Sequence, residues 1–183
     1  MFGEITNSKL LGGWTLKLEK ADKLPQILAT AFYNLYGAAK FGGSYLPSCL
    51  LATQQVNGTN YKLAAERIKQ ISGGKIFKDF AIVTINIPAG DLKAEKASKV
   101  DEEDINDFVL RDEIEKGVKK AFANFAGPTH KPLIELGEQI TKGKTYHFVC
   151  ESRGTYADAD PYLTRVAINN FQDNWTIDEI VRL

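Results

Sequence analysis

Gln54, Gly58 and Tyr61 recur at the same mutual spacing as Gln139, Gly143 and Tyr146, and this repetition constrains the fold more than any other feature of the chain. The register holds outward, with Pro47 opposite Pro132 and Glu66 opposite Glu151. Further upstream, Ala31-Phe32-Tyr33-Asn34-Leu35 answers Ala121-Phe122-Ala123-Asn124-Phe125. The first copy has about five more residues before its proline, which a loop absorbs at little entropic cost. The expected organisation is therefore two tandem copies of one unit, residues 1–100 and 101–183. A chain of 183 residues divided in this way leaves each unit near the lower comfortable limit for burying its own core.

Within each copy the periodicity predicts one helix followed by four strands. Leu24, Ile27, Leu28, Ala31, Phe32 and Leu35 share one stripe of a helix from about Leu24 to Gly37, and Pro25 suits its first turn, where a missing N–H costs nothing. Strands are expected at Ser48 to Gln55, Tyr61 to Ile68, Phe77 to Ile87 and, more weakly, Leu92 to Val100, with turns at Gly73-Gly74 and Pro88-Ala89-Gly90. The second copy has its helix at Val109 to Phe125 and strands at about Leu133 to Ile140, Tyr146 to Arg153, Tyr162 to Asn169 and Thr176 to Leu183. Asp101-Glu102-Glu103-Asp104 reads as a charged junction, or as an approach to a helix N-terminus where acidic groups interact favourably with the dipole. The expected class is α+β, each unit one helix packed on a four-stranded antiparallel sheet.

Asn57-Gly58 is the strongest short hairpin signal in the chain, since both residues tolerate the backbone conformations of a tight turn. Turn chemistry accounts for the Asn and the Gly. It does not account for Val56 at the tip, where a solvated turn is normally polar and an exposed apolar group has something to meet. The run Gln54-Gln55-Val56-Asn57-Gly58 resembles the Gln-x-Val-x-Gly hairpin with which cystatins and stefins inhibit papain-like cysteine proteases. Thr59-Asn60-Tyr61 continues as many stefins do, and Leu11-Gly12-Gly13 looks like that family's glycine-bearing N-terminal segment, with one amphipathic helix between the two motifs.

The resemblance implies two tandem cystatin-like units and a reversible inhibitor that fills a protease cleft without chemistry of its own. It implies contacts from Gly12 and Gly13, from the hairpin Gln54, Gln55, Val56, Asn57 and Gly58, and from a second turn at Pro88, Ala89 and Gly90. Gln139, Ile140, Thr141, Lys142, Gly143 and Trp175 would form a second edge in the second copy. That copy departs from the pattern: Thr141 replaces the valine, Lys142 and Lys144 place charge beside the turn, and no glycine pair precedes its helix. Simpler readings stand beside these, with Gly12-Gly13 as a flexible tail, Trp14 and Trp175 as packing residues, and the second hairpin as a turn that symmetry requires. The architecture also resembles latexin, which implies metallocarboxypeptidase inhibition through another surface, and a cystatin-like scaffold that binds a protein without inhibiting it is a third reading.

Composition excludes other classes. Residues 1–93 carry 11 Lys plus Arg against 6 Asp plus Glu, and the remainder carries 12 against 17. The basic residues are scattered without an arginine-rich run, so nucleic acid is not an expected partner. With His130 and His147 as its two histidines, the chain offers no metal-spaced cluster and no arrangement around a nucleophile, and it has no glycine-rich phosphate loop. An enzyme, a metal and a cofactor are therefore not expected. Cys49 and Cys150 fall in strand-like runs and read as buried free thiols. No apolar run is long enough for a membrane span, and Met1-Phe2-Gly3-Glu4 lacks signal-peptide character. The expected location is cytoplasmic, or secreted if a signal segment has been removed. The sequons Asn57-Gly58-Thr59 and Asn174-Trp175-Thr176 favour a compartment without glycosylation, because a glycan on Asn57 would obstruct the tip. The expected assembly is a monomer or a strand-exchanged dimer.

Overall fold

The computed structural model describes residues 13–37, 44–70, 73–104, 112–123, 125–156 and 159–183. They fall into two compact units, 13–104 and 112–183. The first holds β1 (Trp14–Lys20), α1 (Gln26–Tyr36), β2 (Ser44–Val56), β3 (Gly58–Gln70), β4 (Ile76–Ile87) and β5 (Ser98–Asp104). Its strands form one antiparallel sheet in the order β1-β2-β3-β4-β5. The second holds α2 (Asp112–Ala123), β6 (Thr129–Thr141), β7 (Gly143–Arg153), β8 (Tyr162–Phe171) and β9 (Asn174–Arg182), its sheet running β6-β7-β8-β9.

Leu28, Ala31, Phe32 and Tyr36 recur at helical spacing and are all buried, packing α1 on Leu50, Leu63, Val83, Ile85 and Ile87. Each large apolar side chain so buried contributes about 1.5–3 kcal/mol. Leu63 and Ala65 face α1 while Ala64 points to the other side of the sheet, the parity that a pleated strand imposes. In the second unit Ile114 and Val118 pack on Tyr146, Phe148, Cys150, Val166 and Ile168.

The expectation of an α+β chain made of two tandem units, each one helix on a four-stranded sheet, is overturned. The described chain is predominantly β, with two helices of 11 and 12 residues, and its sheets have five and four strands. Two elements account for the difference. β1 was hidden because its alternation breaks at Leu18, which has φ 51° and sits in a bulge between Leu16 and Glu19. The acidic run is not a junction: Asp101 to Asp104 forms the end of β5, and Leu92 to Ala97 is turn, not strand. Glu102 and Glu103 are tolerated there because neighbouring strands answer their charge. Tyr45 Oη donates to Glu102 at 2.6 Å, Lys62 Nζ lies 3.3 Å from Glu103, and Arg67 Nη1 lies 3.9 Å from Glu102. Arg67 also forks onto Asp79 at 2.7 and 2.6 Å. Burial pushes the Asp79 carboxyl up, but Arg67 and Lys69 outweigh it and hold its pKa below 3.8.

The sheets share irregularities nonetheless. β2 bulges between Pro47 and Cys49 and again between Leu50 and Ala52, and β6 does so between Pro132 and Ile134 and between Glu135 and Gly137. The outer pair slips between Thr84 and Ile85 in the first sheet and between Ala167 and Ile168 in the second.

His147 on β7 is 5% exposed, and neither ring nitrogen has a hydrogen-bond partner among the described residues. Burial, and then the charge of Arg165, lowers its pKa below 6.5 against the opposing pull of Glu179. The folded state thus binds this proton more weakly than the unfolded chain does. Stability is full above the unfolded value, falls as pH drops below about 6.5, and levels off beneath the folded value. His130, with Nδ1 2.6 Å from Ser152 Oγ, is lowered by burial and acts with the same sign. The urea midpoint is expected to fall between about pH 7.5 and about pH 5, and to fall less in His147→Phe. A fall of equal size in that variant would place the titrating group elsewhere.

Candidate functional site

One row of paired residues crosses the whole first sheet: Trp14 faces Gln54, Gln54 faces Asn60, Asn60 faces Asn86, and Asn86 faces Ser98. Beyond it the chain has three excursions, at Gly13, at the Val56-Asn57-Gly58 tip, and at the turn that starts with Pro88. Antiparallel order thus brings segments distant in sequence to one end of one sheet. The row is tied by amides, since Asn86 Nδ2 donates to Asn60 Oδ1 at 2.8 Å and Asn60 Nδ2 donates to Gln54 Oε1 at 3.0 Å. Asparagine is disfavoured in strands, and its presence at two facing strand ends is repaid here by side-chain bonds across the ladder.

Gly58 is where the tip meets the second turn. Its φ is +104°, and a Cβ there would overlap the Ile87 carbonyl oxygen and stand 2.7 Å from Pro88 Cα and 2.9 Å from Ala89 N. Only a residue without a side chain lets the two loops touch. Val56 remains 47% exposed beside it. The second turn is held by Asp91, whose Oδ1 accepts from Glu95 N at 3.1 Å and whose Oδ2 accepts from Lys96 N at 2.8 Å. An open groove of about 330 Å³ lies between the turns and α1, lined by Ile27, Val56, Tyr61, Pro88 and Leu92 among others. Leu92 is 86% exposed.

Of the residues predicted from sequence, Gly12 lies outside the described residues. Gly13 has φ +81° and would meet only the Gln54 side chain, at ordinary contact distance. Gln54 is half-buried and engaged in the amide row, so it braces the tip. Gln55, Val56 and Asn57 are exposed at the hairpin end, as are Ala89 and Gly90 at the second turn, with Pro88 half-buried behind them. Sequence reasoning missed Asn60, Asn86, Asp91, Leu92 and Ile27. The two asparagines at strand ends were the readable signal. Leu92 gives none, because the weak alternation from Leu92 to Val100 reads as a strand.

The second sheet has an equivalent row, Gln139 to Thr145 to Asn169 to Thr176. Hydroxyls replace amides in it: Asn169 Nδ2 donates to Thr145 Oγ1 at 2.9 Å and to Thr141 Oγ1 at 3.0 Å. Gly143, at φ +106°, repeats the close approach, its Cβ position overlapping the Asn170 carbonyl oxygen and lying 3.1 Å from Phe171 Cα. Ile140 is 72% exposed, and Lys142 Nζ stands 5.3 Å over the Phe171 ring. Trp175 pairs on β9 with Asn170, the residue whose carbonyl oxygen lies over Gly143. It stacks on Tyr146 with ring centroids 5.5 Å apart and lies against Gly117 of α2.

Neither cysteine offers a thiolate. Burial pushes Cys49 up to about 12 and raises Cys150 as well. Among the described residues no group of His, Cys, Asp and Glu is placed to hold a metal, and no helix is long and apolar enough to cross a membrane. No protein-family model matches this sequence, and no curated protein matches it. What the site offers is shape: two braced turns and an apolar tip at one end of a five-stranded sheet.

Proposed function

We propose that the chain is a reversible inhibitor of papain-like cysteine proteases, docking the Gly13, Val56 and Pro88 end of its first sheet into the protease cleft. The supporting observation is the wedged Gly58, which holds the exposed Val56 tip against the 88–90 turn. The Gln-x-Val-x-Gly resemblance supplies the partner class. A narrow cleft built for an extended chain accepts such an edge, and a braced edge loses little conformational entropy on docking. Interfaces of ordinary size between proteases and rigid inhibitors are accordingly among the tightest known. No nucleophile, metal or cofactor takes part.

Titration of active papain tests this. Inhibition near one-to-one stoichiometry is expected, weakened at least a hundredfold by Val56→Asp, which places a charge in a desolvated contact while leaving a side chain that is half-exposed in the free protein. Absence of inhibition at micromolar concentration would move the function to carboxypeptidase inhibition or to plain protein binding. Equal inhibition by parent and variant would move the contact away from the tip.

A further inference from the structure

We propose that Asn57 is a site of spontaneous succinimide formation and that its conversion to isoaspartate disables the hairpin tip. The chain holds a single Asn-Gly pair, Asn57-Gly58. Asn57 is exposed at the one position between paired Val56 and Gly58, and it is carried on the surface proposed above to enter the protease. The reaction requires the backbone nitrogen of the following residue to reach the asparagine Cγ, and a side chain on that residue obstructs the approach. Gly58 has none, and the fold does not permit one, because a Cβ there would overlap the Ile87 carbonyl oxygen. Packing of the two turns thus fixes the residue that makes its neighbour chemically labile.

The step balances without an oxidant or reductant. The Gly58 nitrogen loses its proton and forms a bond to Asn57 Cγ, the Cγ–Nδ2 bond breaks, and ammonia leaves with that proton. Water then opens the five-membered imide. Attack at Cγ leaves aspartate, whereas attack at the Asn57 main-chain carbonyl carbon leaves isoaspartate, with Gly58 joined through Cγ and the main chain longer by one methylene. Either product puts a carboxylate beside Val56 on a tip that carried no charge. Isoaspartate also displaces Gly58 from its seat against Ile87 and Pro88, where there is no spare room. The second sheet is an internal control, since Lys142 precedes Gly143 at the equivalent place and cannot form the imide.

The loss of inhibition rests on the proposed function, whereas the conversion itself does not. The full chain is incubated in mildly alkaline buffer beside Asn57→Gln and a free peptide of residues 53–61. Isoaspartate is followed by methyltransferase labelling and peptide mapping, and inhibition by papain titration of the same samples. Label is expected to accrue at residue 57 in the parent and not in the Gln variant, with inhibitory titre falling in step to a tenth or less. Asn57 unchanged in the folded chain while the peptide converts would overturn the site. Conversion with full inhibition retained would overturn its effect on the tip. If the unaged chain does not inhibit papain, the protease reading fails, and labelling still decides whether Asn57 converts.

Discussion

Gly58→Ala is expected to lower stability by about 3 kcal/mol and to raise the inhibition constant towards papain by more than a hundredfold. Two costs combine. An alanine held at φ +104° pays about 1 kcal/mol for a backbone region that side chains disfavour. The larger cost comes from the overlap with the Ile87 carbonyl oxygen and the 2.7 Å approach to Pro88 Cα, which forces two backbone segments apart. Neither neighbour is the flexible end of a side chain, so the strain cannot be shed by a rotamer change. The tip separates from the 88–90 turn, and the edge proposed to enter the cleft loses its shape. Urea denaturation and papain titration of the variant measure both effects. The comparison with Val56→Asp separates them, because that substitution is expected to abolish docking at nearly parental stability. Parental stability in Gly58→Ala would show that the two turns are not in contact.

The second large effect belongs to α2. Gly to Ala inside a helix ordinarily stabilises by up to about 1 kcal/mol through propensity. At Gly117 the sign is expected to reverse. An added methyl would overlap the Trp175 ring at Cε2, Cζ2 and Cδ2, and that ring is also stacked on Tyr146. Overpacking of this kind costs about 1–3 kcal/mol, which exceeds the propensity gain. Trp175 would also lose its Nε1 donation to Asp173 Oδ1 at 3.3 Å. Since the chain has two tryptophans, Trp14→Phe leaves Trp175 as the one indole emitter. In that background Gly117→Ala should shift emission to the red and lower the urea midpoint. A variant of higher stability with unchanged emission would mean that Trp175 does not rest on the helix.

Local signals carried much of this protein. The turn at Asn57-Gly58, the break at Pro88-Ala89-Gly90 and the apolar stripe of Leu28, Ala31 and Phe32 are legible because each depends on backbone restrictions or a periodicity within a few residues. The repeated Gln, Gly and Tyr spacing is legible for the same reason, and equivalent strand bulges accompany it. Long-range pairing decided the rest. β1 escapes a sequence reading because its alternation breaks at Leu18, and β5 lies later than the expected Leu92 to Val100 because its second half is acidic and its partners, Tyr45, Lys62 and Arg67, lie far away in sequence. The α+β class failed with them.

The candidate site divides in the same way. Val56 at a hairpin tip could be read from the chain, because an apolar residue in a polar turn is a local anomaly. That Gln54 turns into an amide row with Asn60 and Asn86 could not, because strand parity and the facing residue belong to the sheet. Nor could the reason for Gly58: a turn asks only for tolerance of positive φ, whereas the folded molecule presses the Ile87 carbonyl into the space a side chain would need. The sequence by itself determined the tight turns at Asn57-Gly58 and at Pro88-Ala89-Gly90, since such turning depends on near neighbours along the backbone. The tertiary structure decided which turns meet, because contact between residues 58 and 87 exists only once three strands have paired.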